Sequence, residues 1–168
     1  METSIYLDKF EALAGQLTRE LPGQGQLQCK AGMWLNSAVL KIQRTSWLNP
    51  SAGVKPFEES IFFSLWISEA SLKENRLYYN IHALKLRELS AYVIKSREFA
   101  EAFRKAFKAF EKRWPNVRTD FGPLTLMEGW IKIPEKTFEK DVLALARQFL
   151  DIEFIINGLL EERRKVKG

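Results

Sequence analysis

The sequence predicts an α+β fold: a mostly antiparallel sheet of about four to six strands covered by three main helices. Three observations carry this expectation. Apolar residues recur every three or four positions near both ends of the chain, they alternate every second position through its middle, and no regular strand, helix, strand succession builds a parallel sheet. The 168 residues have the length of one domain, expected to span 1–168 with a short basic C-terminal tip. Apolar residues make up 46% and charged residues 28%, enough of the former to form a core rather than a disordered chain.

Over residues 6–21, Leu7, Phe10, Leu13, Ala14, Leu17 and Leu21 form one helical stripe, which Pro22 and Gly23 end. Residues 27–33 and 39–44 read as short strands, the second alternating Leu40 and Ile42 against Lys41 and Gln43. Pro50, Gly53 and Pro56 make residues 47–57 a loop. The clearest strand is 61–68, with Ile61, Phe63, Leu65 and Ile67 on one face and Phe62, Ser64, Trp66 and Ser68 on the other. A polar turn at 73–76 leads to its antiparallel hairpin partner, where Leu77, Tyr79, Ile81 and Ala83 oppose Tyr78, Asn80 and His82. Ser96 is expected to cap the next helix, striped by Phe99, Phe103, Ala106, Phe107, Phe110 and Trp114 and ended by Pro115. Phe103, Phe107 and Phe110 should share a core. Residues 125–133 read as another strand, and a last helix runs from about 135 to 162 with Val142, Ala146, Phe149, Ile152, Ile156 and Leu159 inward.

Several chemistries lack their residues. Cys29 is the only cysteine, so no internal disulfide and no Cys/His zinc set exists, which suits a reducing compartment. The acidic, amphipathic start is unlike a secretion signal, and no apolar run is long enough for a membrane span; the expectation is a soluble, cytoplasmic protein with no membrane contact. Neither phosphate-binding glycine motif is present, and Gly23 and Gly25 read as a turn, so no cofactor is expected. A nucleophilic Cys29 would need His82 or an unusual lysine as its base and is more simply a packing residue. Glu58, Glu59, Asp151 and Glu153 lack metal-site spacing, and Gln28-Cys29-Lys30 lacks the strand aspartate of a nuclease site. No catalytic residue and no metal ligand is assigned.

Two surfaces remain. Trp66, Tyr78, Asn80 and His82 form the candidate ligand-binding set, since Phe62, Ser64 and Trp66 lie opposite the second strand's polar face; rings there stack a planar ligand while polar groups bond its edge. The alternative is that a helix seals this face. The second surface is basic. Residues 1–60 carry six basic and six acidic side chains and 114–168 carry nine of each, whereas 95–113 carry seven basic and three acidic. On that helix Arg97, Arg104, Lys108 and Lys112 form a row suited to nucleic-acid phosphates, interrupted by Glu101 and Glu111, and more simply readable as a solvated face. Trp34 and Trp47 with the polar residues between them offer a further place for an unstacked base, or two core tryptophans.

These features favour a noncatalytic binding or regulatory module whose partner is DNA or RNA. One alternative is a small hydrolase or metal-dependent nuclease, which would require carboxylates such as Glu69, Asp120 and Glu128 to converge. The other is a protein-interaction domain, with twelve phenylalanines and five tryptophans supplying a homodimer interface or a surface for another protein partner.

Overall fold

The computed structural model describes residues 2–20, 27–47 and 61–166. Helix α1 (Glu2–Glu20) precedes strands β1 (Leu27–Trp34) and β2 (Ser37–Arg44), and a 3₁₀ turn (Thr45–Trp47) closes the pair. Strand β3 (Ile61–Ile67), short helix α2 (Glu69–Lys73) and strand β4 (Arg76–Ala83) follow, then helix α3 (Ser96–Phe107), strand β5 (Thr125–Lys132) and helix α4 (Phe138–Glu162). The sheet is five-stranded, antiparallel throughout and ordered β1-β2-β3-β4-β5, so each strand pairs with its sequence neighbour.

The expected α+β architecture is present. One sheet face carries Leu40, Ile42, Ile61, Phe63, Leu65, Leu77, Tyr79 and Ile81, all fully buried, and joins α1, α3 and α4 in one core. Phe63 stacks on Phe149 of α4 with ring centroids 4.5 Å apart, and Arg44 of β2 forms a two-pronged ion pair with Glu153 at 2.7 and 2.8 Å. Such parallel bonds fix direction as well as distance, so they set how α4 crosses the sheet. Among the described residues no helix is long and apolar enough to cross a membrane.

Local differences from the expected elements have physical causes. The polar turn placed at 73–76 is preceded by α2, because Ser68 and Ser71 each bond the other's backbone amide and close a capping box that starts a helical turn. Asn75, at φ 56°, then reverses the chain into β4. Ser96 is not the cap: Lys95 is the last extended residue and Ser96 already belongs to the helix, the chain being anchored just before by buried Ile94. Helix α3 stops at Phe107 instead of running to Trp114, and the chain tightens into a 3₁₀ turn at Glu111–Arg113. This brings Trp114 back onto Tyr79 at 5.2 Å and Phe63 at 6.1 Å. Phe99, Phe103 and Phe107 are fully buried, each stabilising the core by about 1.5–3 kcal/mol, whereas Phe110 is only partly buried and Ala106 is exposed. The turn at Pro22, Gly23 and Gly25 and most of the loop expected over 47–57 lie outside the described residues; Trp47 itself is buried.

Strands β1 and β2 are joined by Leu35 and Asn36, both left-handed at φ 50° and 63°, as a two-residue hairpin turn of the primed type requires. Asparagine tolerates this backbone. A leucine there costs roughly 1 kcal/mol, and Leu35 is 99% exposed, so it recovers none of this by burial.

Candidate functional site

Strand alternation sends the second set of side chains to the opposite sheet face, which no described helix covers. Pairing register orders them in rows across the strands. One row runs Gly32, Val39, Trp66, Tyr78, Trp130; the next runs Lys30, Lys41, Ser64, Asn80, Glu128; a third includes Phe62, His82 and Thr125. A polar row therefore lies between two aromatic ones.

A cavity of about 530 Å³ opens on this face, lined by Trp34, Val39, Lys41, Ser64, Trp66 and Glu128 among others. The volume falls within the range of small-ligand pockets. Asn80 and His82 line it too. Trp66 and Tyr78 are stacked, 4.5 Å apart and 8° from parallel, so Tyr78 covers the β4-facing side of the indole. The other side of Trp66 looks over Val39 toward β1 and the cavity. Tyr78 is thus the backing of Trp66 and not part of the lining. Behind it Arg76 lies 3.9 Å over the Trp130 ring and donates to the Tyr78 hydroxyl at 3.3 Å.

The cavity floor is polar. Ser64 and Asn80 are each 2% exposed. The Ser64 hydroxyl donates to Asn80 Oδ1, and Asn80 Nδ2 donates to Glu128 Oε1 at 3.2 Å. These bonds fix the direction of the Ser64, Asn80 and Glu128 part of the row, since the Asn80 oxygen is taken by Ser64 and one of its amide hydrogens by Glu128. At the other end Lys41, 8% exposed, holds its ammonium 4.0 Å from the Trp34 ring centre and 4.8 Å from that of Phe62. The Trp34 ring folds down over Gly32, where an added Cβ would sit 2.8 Å from it; only a glycine leaves room for that pose.

His82 stacks obliquely on Phe62 at 5.2 Å, and its Nδ1 lies 3.4 Å from the Leu124 carbonyl and 3.5 Å from the Thr125 hydroxyl. Burial holds its imidazolium more acidic than usual, the Leu124 carbonyl opposes this, and the Lys41 charge adds to it. Cys29 belongs to the helix-facing side, where burial pushes its thiol up to about 11, so Cys29 and His82 are on opposite faces and form no nucleophile–base pair. Among the described residues no three or more His, Cys, Asp and Glu side chains gather as a metal site, and Glu69, Asp120 and Glu128 are not such a group.

The basic residues lie elsewhere. Helix α3 packs on α4 and β5 in the helical layer, so exposed Arg97 on it and exposed Lys108 just past its end lie in that layer and not on the opposite sheet face. Lys112, also exposed, sits in the 3₁₀ turn beyond α3. Arg104 is committed to the chain itself: its guanidinium donates to the carbonyls of Gly122 at 2.9 Å, Thr125 at 2.8 Å and Leu126 at 3.2 Å. Trp34 and Trp47 are also separated, since Trp47 is in the core and donates to Asn157 of α4 at 2.9 Å.

Sequence reasoning found Trp66, Asn80 and His82 and offered Trp34 for an unstacked base, though paired with Trp47, but not the roles of Lys41 and Glu128. Alternation already places Lys41 opposite Leu40, and Glu128 shares parity with Trp130; what it lacks is the order of the strands. No protein-family model, no curated protein and no solved structure matches this chain.

Proposed function

We propose that the chain is a noncatalytic binding module that holds single-stranded nucleic acid on the open sheet face, one unstacked base lodging against the free side of Trp66. The observation that carries this is the cavity in which Trp34 and Trp66 stand over a buried polar floor. Stacking rings beside edge-bonding groups is how single strands are held, because every base has a π-face and an edge. Lys30, Lys41, Arg76 and Lys132 share the face by register and supply attraction to phosphates, in line with the net charge of +5. The strained, fully exposed Leu35 lines the same cavity, as expected where local stability is given up for contact with something else.

The test is fluorescence anisotropy with labelled single-stranded and duplex oligonucleotides of DNA and RNA at two salt concentrations. Trp66→Ala should weaken single-strand binding roughly 5- to 150-fold, the worth of one base–aromatic stack, and duplexes should bind less well than single strands. A second contact is available to the basic residues of the helical layer: if a strand continues past β5, replacing Arg97, Lys108 and Lys112 with glutamine lowers affinity evenly across sequences and flattens the salt dependence. Absence of binding to every probe, together with a dimeric mass in solution, would favour the protein-interaction alternative.

A further inference from the structure

A carboxylate on a face that attracts phosphates works against binding unless it receives something in return. Glu128 stands at the β5 end of the polar row and lines the cavity. Its Oε1 accepts from Asn80, which leaves Oε2 with no hydrogen-bond partner among the described residues. A carboxylate offers only acceptors. Ser64 adds to this, because its single proton is spent on Asn80 Oδ1 and only lone pairs remain for a ligand. The acceptors Ser64 and Glu128 therefore flank Asn80, whose second amide hydrogen is the donor between them, while the ammonium groups of the row, Lys30 and Lys41, lie at the β1–β2 end and Arg118, the bridge partner of Glu128, is held by Asp120.

From this polarity we infer that the site selects guanine, with Glu128 accepting from its Watson–Crick edge and the sugar-phosphate side toward Lys41. This rests on the nucleic-acid reading above and deepens it. Guanine alone presents two adjacent donors, N1–H and N2–H, which match the two adjacent oxygens of the Glu128 carboxylate. Adenine and cytosine each place a ring acceptor beside their amino group, and uracil and thymine flank their single N–H with two carbonyls; each sets a lone pair against the carboxylate. A paired donor contact of this kind carries roughly 5- to 150-fold discrimination between bases. The inward-pointing direction of the bonds matters as much as the residues. Were Asn80 flipped, its amide hydrogens would face Ser64 and its oxygen would face Glu128, and that pairing of two acceptors is disfavoured.

The experiment compares short thymidine strands carrying one central guanine, adenine, cytosine or hypoxanthine, titrated against the wild-type chain and Glu128→Gln. Hypoxanthine is guanine without its N2 amino group. The guanine strand should bind tightest, by about fivefold or more over the others. Hypoxanthine should fall toward the rest, and Glu128→Gln should erase the preference while still binding all four strands. Equal affinity for the four strands, or a guanine preference that survives in Glu128→Gln, overturns the inference while leaving the binding reading intact. Failure of every strand to bind overturns both. If Glu128→Gln does not fold, the guanine–hypoxanthine pair on wild-type protein decides alone.

Discussion

Gly129 offers a sharp test of how the core is packed, because the same substitution at three glycines should change stability in different ways. A Cβ added at Gly129 would fall on the ring and hydroxyl of its cross-strand partner Tyr79 and 2.9 Å from the Pro115 carbonyl oxygen. Tyr79 cannot swing aside. It is fully buried, packed 5.2 Å from Trp114 and 6.4 Å from Phe63, and donates to the Pro115 carbonyl at 2.8 Å. Overpacking costs about 1–3 kcal/mol and a weakened buried hydrogen bond about another 1. The reduced freedom of the unfolded chain gives back roughly 0.4–1. The net expectation for Gly129→Ala is a loss of about 2–3 kcal/mol, or roughly 4–12 °C in Tm for a chain of this size. Gly122 and Gly158 have nothing within 4 Å of the added methyl. Gly122→Ala should therefore change little, and Gly158→Ala, inside α4, should stabilise by up to about 1 kcal/mol. Urea unfolding followed by tryptophan fluorescence measures all three. A Gly129→Ala protein as stable as wild type would refute the close seating of Tyr79 over that glycine.

Arg104 and His82 give two further expectations. Arg104→Gln should cost about 1–3 kcal/mol by removing the guanidinium bonds to the carbonyls of Gly122, Thr125 and Leu126, while Lys108→Gln stays within about 0.5; equal melting curves for the two would show that the guanidinium bonds do not hold this loop. His82 is the only histidine, so one ring-proton NMR signal follows its titration. Its midpoint should lie below the usual 6.5 and rise in Lys41→Gln. Because the folded value is the lower one, the neutral ring favours the fold: this stabilisation is complete above about 6.5 and is lost as pH falls through the folded midpoint. A midpoint at or above 6.5 would contradict the burial of the ring.

The fold was legible where one period dominated. Ile61, Phe63, Leu65 and Ile67 alternate without a break, and they form the buried face of β3. The stripe from Phe99 to Phe107 likewise gave the orientation of α3. Its end was not legible, because Phe110 and Trp114 continue the helical spacing while the chain leaves the helix; both readings place apolar residues inward, and only packing against Tyr79 and Phe63 selects the tighter turn. The candidate site divides in the same way. Trp66, Asn80 and His82 lie on two strands joined by a short connection, so local pattern suffices. Trp34 and Glu128 come from the first and last strands, and Arg104 looked like a free cation until its carbonyl partners were placed 18–22 residues away.

The alternation along β3 and β4 has one more consequence. Changing Ser64 or Asn80 alters the floor of the cavity and disturbs one or two side-chain bonds, whereas the same change one position along, at Phe63 or Ile81, lands among the helices. Odd-numbered letters of these stretches spell cohesion and even-numbered ones spell recognition. Related chains are free to diverge in the second alphabet while the first stays fixed, so a change of ligand need not begin with a change of fold.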